Sequence, residues 1–276
     1  MSAQHAGRLI VECLTAQGVE CAFGVLGESY LAVLDGFHAH RDRIRFIVNR
    51  QERPLTVEPP GCTAHLACRS RDQRRRECGG AHMAAVVTLL QKHLPADAAI
   101  TNGAGNFANW VHRFCRYHGL AKGHKTQLAP TNGAMGYGVP PGIACTLTTG
   151  PTAFTIAGDG DFLMNGQELA TASQHGGKSI IVLLNNGMFG TIRIHQEREY
   201  PRNVSGTALT NPDFCALARA DGYAAEKVTA TAQFEAALLR ALAADTGTLI
   251  EIPLDPEVIT TRGTLSAITK AAQAKG

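Results

Sequence analysis

At 276 residues with an apolar fraction of 45%, the chain has room for one large or two modest globular domains. A net charge of +3 is too small to argue for a nucleic-acid partner, and no run approaches the ~18 apolar residues of a membrane span. Residues 1–7 are polar and carry no signal pattern, so a cytoplasmic protein with its eight cysteines reduced is expected.

The first stretch reads helix, strand, helix, strand. Leu9, Ile10, Cys13 and Leu14 form one helical face, stopped by Gly18. A strand over 21–25 enters a turn with Gly24 and Gly27, Ser29 caps a helix carrying Leu31, Val33, Leu34 and Phe37, and a strand over 44–48 ends at Asn49-Arg50-Gln51-Glu52. Residues 53–80 then show neither a strand nor a helix period, and Pro54, Pro59 and Pro60 oppose a helix. Cys62, Cys68 and Cys78 include no C-x2–4-C pair that would support a zinc site with His65 and His82. The arginine-rich run 69–76 lacks interleaved aromatics for nucleic acid. An irregular linker is expected there.

From residue 81 order resumes. A helix over 83–94 and a strand over 98–102 lead to the turn Gly103-Ala104-Gly105-Asn106-Phe107, which opens a helix through Trp110. Such a turn places backbone N–H groups at an anion. It lacks the third glycine and the later acidic residue of a dinucleotide fingerprint. Apolar runs at 153–157 and 180–184 read as buried parallel strands. The helix between them is expected to start at Asn165, with Glu168 completing a capping box. Asn211-Pro212-Asp213-Phe214 reads as an N-cap with proline at the first helical position. A helix from Thr231 turns Phe234, Leu238, Leu239 and Leu242 inward, a strand over 249–253 follows, and 256–276 reads as a tail. The alternation over 81–255 predicts an α/β domain with a doubly wound parallel sheet.

Chemistry concentrates at two of those strand ends. Gly158-Asp159-Gly160 follows the first, and Asn185-Asn186 follows the second, with twenty-four residues between the two groups. Open α/β sheets bind ligands at such carboxyl ends. Asp159 offers a carboxylate, Asn186 an amide oxygen and Met188 a main-chain carbonyl, a set that suits Mg²⁺ completed by phosphate and water oxygens. Glycine at 158 and 160 lets phosphate approach the backbone. An EF-hand reading fails, because Leu163 stands at the fifth loop position and no glutamate closes the loop at the twelfth.

In these residues the chain resembles the thiamine-diphosphate-dependent enzymes, whose cofactor signature is Gly-Asp-Gly, a spacer and Asn-Asn. GDGDFLMNGQEL, NNGMFGTIR and the NPDF helix resemble acetolactate-synthase-like large catalytic subunits. The turn after the first strand and the strand ending at Glu52 resemble the opening of the family's pyrimidine-binding domain. The resemblance implies a thiamine-diphosphate-binding fold for 81–255, behind an incomplete N-terminal α/β segment. In that layout 1–52 is a partial pyrimidine-binding domain, 53–80 the irregular linker, and the chain an internally truncated member.

The resemblance also implies thiamine diphosphate and Mg²⁺ as cofactors. Asp159, Asn186 and Met188 would then hold the metal, and Gly105, Asn106, Phe107, Gly158, Gly160 and Asp161 would lie along the diphosphate. The Gly133 carbonyl would accept from the cofactor's 4′-amino group, and Met135 would wedge the cofactor into its bent form. Glu52 would be the catalytic glutamate, held against the pyrimidine N1′ to favour the imino tautomer that deprotonates the thiazolium. The implied activity is decarboxylation of a pyruvate-like 2-oxo acid and transfer of the resulting carbanion to an acceptor, a lyase and transferase chemistry, in a homodimer or homotetramer. The alternative is a catalytically inactive remnant or a dimerisation partner of a full-length enzyme. Asp161 replaces a frequent serine, and a carboxylate there repels phosphate unless it points away. His175, His195 and Glu197 read as solvated or core residues.

Overall fold

The computed structural model describes residues 6–24, 31–48, 81–116, 127–148, 150, 152–199, 201, 202, 204 and 206–274, in two compact units, Met1–Val57 and Glu58–Gly276. The expected linker 53–80 and Glu52 lie outside the described residues.

In the first unit α1 (Ala6–Ala16) and α2 (Leu31–Ala39) accompany two parallel strands, β1 (Cys21–Gly24) and β2 (Arg45–Val48). The helical face differs from the expected one: Val11 is fully buried, whereas Leu9 and Ile10 are exposed. The reason is a glycine contact. A Cβ on Gly36 of α2 would stand 2.7 Å from the Gly7 carbonyl and 2.9 Å from Val11, so the two helices meet on the Gly7–Val11 side. Phe37 and Ile44 complete this small core.

The second unit runs α3 (Met83–His93), β3 (Ala99–Asn102), α4 (Ala108–Phe114), β4 (Gln127–Leu128), α5 (Val139–Thr148), β5 (Ala153–Gly158), α6 (Asp159–Asn165), a 3₁₀ turn (Gly166–Glu168), α7 (Leu169–His175), β6 (Ile180–Asn185), α8 (Gly190–Glu199), α9 (Phe214–Ala220), β7 (Ala224–Lys227), α10 (Thr231–Ala243), β8 (Thr248–Pro253) and α11 (Leu265–Gln273). Six strands form one parallel sheet in the order β4-β3-β5-β6-β8-β7. The doubly wound α/β fold expected from the alternation is the one observed.

Alternate residues of each strand serve opposite faces. Ile100, Phe154, Ile156, Ile180, Val182, Leu184, Ile250 and Ile252 pack with α3, α4 and α10. On the other face small side chains admit α5 closely. The Thr101 hydroxyl donates to the Gly138 carbonyl at 2.8 Å and also contacts the Thr155 hydroxyl at 2.8 Å, so both buried polar groups are satisfied. Pro140 and Pro141 are tolerated in α5 because its first turn needs no intrahelical N–H partner. From β3 the chain passes outward to β4, then returns to β5 on the opposite side of β3. Such a reversal of strand order opens a crevice at the carboxyl ends.

Three local expectations are corrected. The helix after β5 starts at once, with Gly158 as N-cap, and Asn165 makes no capping bond. Its amide instead donates to the Gly136 carbonyl at 2.9 Å. The cap of α9 is Asp213, which accepts from the Ala216 N–H at 2.9 Å, so Asn211 is free for another task. The tail contains α11, which packs on α8 through Ile194, Ile259 and Leu265. Buried Glu197 fastens that contact by accepting from Arg193 at 2.7 Å and from the Thr269 hydroxyl at 2.8 Å. No helix among the described residues is long and apolar enough to cross a membrane.

Candidate functional site

Three loops meet at the carboxyl ends of β3, β5 and β6. Asp159, the first residue of α6, is 3% exposed. Its Oδ2 accepts from the Gly187 N–H at 2.8 Å and from Asn211 Nδ2 at 2.8 Å. Burial pushes the carboxyl above its ordinary range, against opposing hydrogen bonds from Asn211, Gly160 and Gly187. A divalent cation would supply the charge that burial withholds.

The loop after β6 comes to Asp159 through Gly187, whose φ of 68° suits glycine. Asn186 Oδ1 accepts from the Met188 N–H at 3.2 Å, a local side-chain turn. Main-chain bonds from Leu209 to Gly187 and from Phe189 to Thr207 bracket Met188 against Ala208. Among the described residues the Met188 carbonyl accepts no hydrogen bond. Asp159 thus touches the loop that carries Asn186 and Met188, and these residues offer oxygens of the type Mg²⁺ takes.

The loop after β3 presents a different donor from the one expected. The Asn106 N–H is occupied, donating to Thr191 Oγ1 at 3.1 Å. The Asn106 side-chain Nδ2 is buried and has no partner among the described residues, a donor suited to an anionic ligand. Phe107 lays its ring against two glycines. A Cβ on Gly158 would fall 2.7 Å from it and a Cβ on Gly105 2.5 Å. At Gly160 the ring of Phe189 occupies the same kind of space, 2.6 Å from a hypothetical Cβ. Phosphate access is thus joined by a packing requirement at positions 158 and 160.

Asp161, expected along the diphosphate, has one carboxylate oxygen bound by the protein and the other, Oδ2, buried with no hydrogen-bond partner among the described residues. Its Oδ1 accepts from the Gly136 N–H at 2.8 Å and from the Ala104 N–H at 3.2 Å, joining the loop after β3 to the loop before α5. This leaves Gly133 exposed, with φ 69°, and Met135 half-buried on the segment that Asp161 pins.

The clamp has a pH consequence. Burial pushes Asp161 up to about 7, against hydrogen bonds from Gly136 and Ala104. The folded value lies above the unfolded one, so the folded state holds the extra proton between about pH 4 and 7, and stability falls as pH rises through that window. A tenfold difference in proton affinity between the two states is worth about 1.4 kcal/mol. Asp161→Asn keeps an acceptor oxygen without the charge. In metal-free buffer its melting temperature should exceed that of the wild type by more at pH 8 than at pH 5. A difference independent of pH would contradict this linkage.

His175 and His195 are exposed and stand outside this hydrogen-bond system. Three members of the system carry no sequence signal of their own. Asn211, Asn185 and Glu251 are linked to Asp159 by side-chain bonds at 2.8–2.9 Å. Asn185 is legible in the sequence only as half of an Asn-Asn pair, and Asn211 only as a helix cap. Asp213, Cys215 and Glu251 offer ligand atoms within 4.8 Å of one another. Asp213 is committed to its cap and Glu251 to Asn185 and Lys227, so the cluster is explained by protein contacts.

Comparison with known proteins agrees with the family resemblance. Residues 103–252 match the family model "Thiamine pyrophosphate enzyme, C-terminal TPP binding domain", and residues 4–56 match "Thiamine pyrophosphate enzyme, N-terminal TPP binding domain". The chain is 34% identical over 180 residues to the acetolactate synthase isozyme 2 large subunit of Escherichia coli (strain K12), covering 60% of this chain and 31% of that protein. It is 31% identical over 176 residues to the chloroplastic acetolactate synthase 2 of Zea mays, covering 60% and 27%. It is 30% identical over 164 residues to the probable acetolactate synthase large subunit of Methanocaldococcus jannaschii, covering 58% and 27%. The chain thus spans less than a third of the length of these relatives.

Proposed function

Because the chain belongs to the thiamine-diphosphate-dependent, acetolactate-synthase-like family, we propose that it binds thiamine diphosphate through Mg²⁺ and acts on pyruvate-like 2-oxo acids by decarboxylation and carboligation. The observation that carries this reading is the approach of the Gly187 N–H to Asp159 at 2.8 Å, which joins the two halves of the signature at neighbouring strand ends. When bound, the cofactor supplies the carbanion chemistry, and the protein supplies position and charge.

Asp159, Asn186 and the Met188 carbonyl hold the cation. Gly105 and the unpartnered Asn106 amide lie along the diphosphate, with Gly158, Gly160 and Phe107 forming the packed floor beneath it. The Gly133 carbonyl and Met135 meet the pyrimidine and thiazolium on the loop pinned by Asp161. Glu52 activates the pyrimidine. We place the protein in the cytoplasm, in keeping with five free cysteines among the described residues, and as a homodimer or homotetramer of the family's kind.

A second reading has a specific observation in its favour. The relatives are more than three times as long as the part of them matched here. Under this reading the chain binds magnesium and cofactor without turnover, or pairs with a full-length subunit. One experiment separates the two. Thiamine diphosphate and Mg²⁺ are titrated into the purified chain by calorimetry, and acetolactate and acetaldehyde are then assayed from pyruvate. We expect binding with poor turnover by the chain alone. Robust turnover that vanishes in Glu52→Gln would establish the enzymatic reading, and no binding at all would overturn it together with the cofactor-binding form of the second, leaving only pairing with a full-length subunit.

A further inference from the structure

We infer that Asn211 is a positioning residue for the cation site, and that Asn185 and Glu251 set the direction in which it acts. The inference rests on the reading of Asp159 as a cation ligand. Asn211 belongs to none of the loops of the cofactor signature, yet its Nδ2 donates both to Asp159 Oδ2 at 2.8 Å and to Asn185 Oδ1 at 2.9 Å. Asn185 in turn donates from its Nδ2 to Glu251 Oε1 at 2.9 Å. Glu251 is 1% exposed on β8 and is paired with Lys227 at 3.1 Å.

The polarity of this relay follows from its carboxylates. An ionised carboxylate only accepts, whereas an asparagine amide donates at one end and accepts at the other. Glu251, paired with Lys227 at 3.1 Å, offers Asn185 an acceptor oxygen, toward which Asn185 turns its NH₂. The Asn185 oxygen then faces the other way, where it accepts from Gly187 at 3.3 Å and from Asn211. Asn211 meets an amide oxygen and a carboxylate oxygen together, so only its NH₂ fits. A flipped Asn211 would place oxygen against both. The same constraint explains why Asn211 Oδ1 is buried without a hydrogen-bond partner among the described residues.

The outcome is felt at Asp159. Its Oδ2 is held by two donors from different segments, Gly187 and Asn211, which fixes the rotation of the carboxylate before any cation arrives. The Gly187 N–H is shared between Asp159 and Asn185, so the relay also fixes the loop that carries Asn186 and Met188. Partners that orient metal ligands in this way set affinity without touching the metal.

The test is Mg²⁺ affinity, measured by calorimetry on the full chain with saturating thiamine diphosphate, beside melting temperature in metal-free buffer. Asn211→Ala is expected to weaken Mg²⁺ binding about 10–100-fold while Asp159→Ala removes it. Loss in Asp159→Ala with Asn211→Ala within about twofold of the wild type would overturn the relay and leave the site reading intact, since a displaced orienting residue costs about tenfold or more. No binding by the wild type, or unchanged binding by Asp159→Ala, would overturn the site reading and the relay with it. If Asn211→Ala does not fold, Glu251 decides. Glu251→Gln retains an oxygen for Asn185 and should bind Mg²⁺ within about threefold of the wild type, whereas Glu251→Met removes the acceptor and should lose about tenfold. Equal affinities in this pair would overturn the relay.

Discussion

Asp159→Ala is expected to abolish Mg²⁺-dependent binding of thiamine diphosphate. In the proposed site Asp159 is the one carboxylate assigned to the cation. Asn186 and Met188 offer neutral oxygens, and a hard divalent cation binds through charge as well as geometry. Losing a residue that merely orients a ligand costs about 10–100-fold in affinity, so losing the charged ligand itself should cost more. The substitution also removes an acceptor shared by two donors, the Gly187 N–H and Asn211 Nδ2, which then keep only Asn185 Oδ1. Asn186→Ala removes a neutral ligand and should weaken binding less. Calorimetric titration of the cofactor at limiting Mg²⁺ checks the order. Equal affinity in Asp159→Ala and the wild type would remove the metal site from this position.

The second large effect is on stability. Gly138→Ala should destabilise the protein by about 3 kcal/mol, the upper end of the usual range for overpacking. A Cβ there would stand 2.6 Å from the Gly103 nitrogen and 2.9 Å from the Asn102 carbonyl carbon. Both are backbone atoms at the end of β3, which lies between β4 and β5 in the sheet, and neither can rotate aside. The collision would also shift the Gly138 carbonyl, to which buried Thr101 donates at 2.8 Å. At about 2–4 °C per kcal/mol for a domain of this size, the melting temperature should fall by about 6–12 °C. Gly263 provides the control, because nothing lies within 4 Å of its hypothetical Cβ and its φ is not positive. Gly263→Ala should remain within about 0.5 kcal/mol of the wild type. Similar melting temperatures for the two variants would contradict the close approach of these loops.

Much of this architecture is written in local chemistry. Unbroken apolar runs identify β5 and β6 to within a residue at their ends, because strands buried on both faces need no polar alternation. Gly-Asp-Gly and Asn-Asn at the ends of those strands, with their spacing, point to a hard cation and to the family. Those signals are carried by residues adjacent in the chain, and their periodicity survives without knowledge of any partner. Caps and helix faces are less legible. Asn165 and Asn211 have the right chemistry for N-caps, but the same amide satisfies distant groups equally well, and tertiary contacts claim both. Leu9 and Ile10 have the right period for a buried face, but the Gly7–Gly36 contact chooses the other side.

The identity of the proposed ligand residues is therefore read from the sequence, whereas their orientation belongs to the tertiary structure. Asp161 is a plausible phosphate neighbour by position, and only its contacts with Ala104 and Gly136 show it to be a clamp between loops. Asn211 reaches Asp159 across 52 residues, and Asn185 reaches Glu251 across 66. Pairings over such separations leave no periodic trace, because a buried hydrogen bond requires only that two groups be complementary where the fold brings them together.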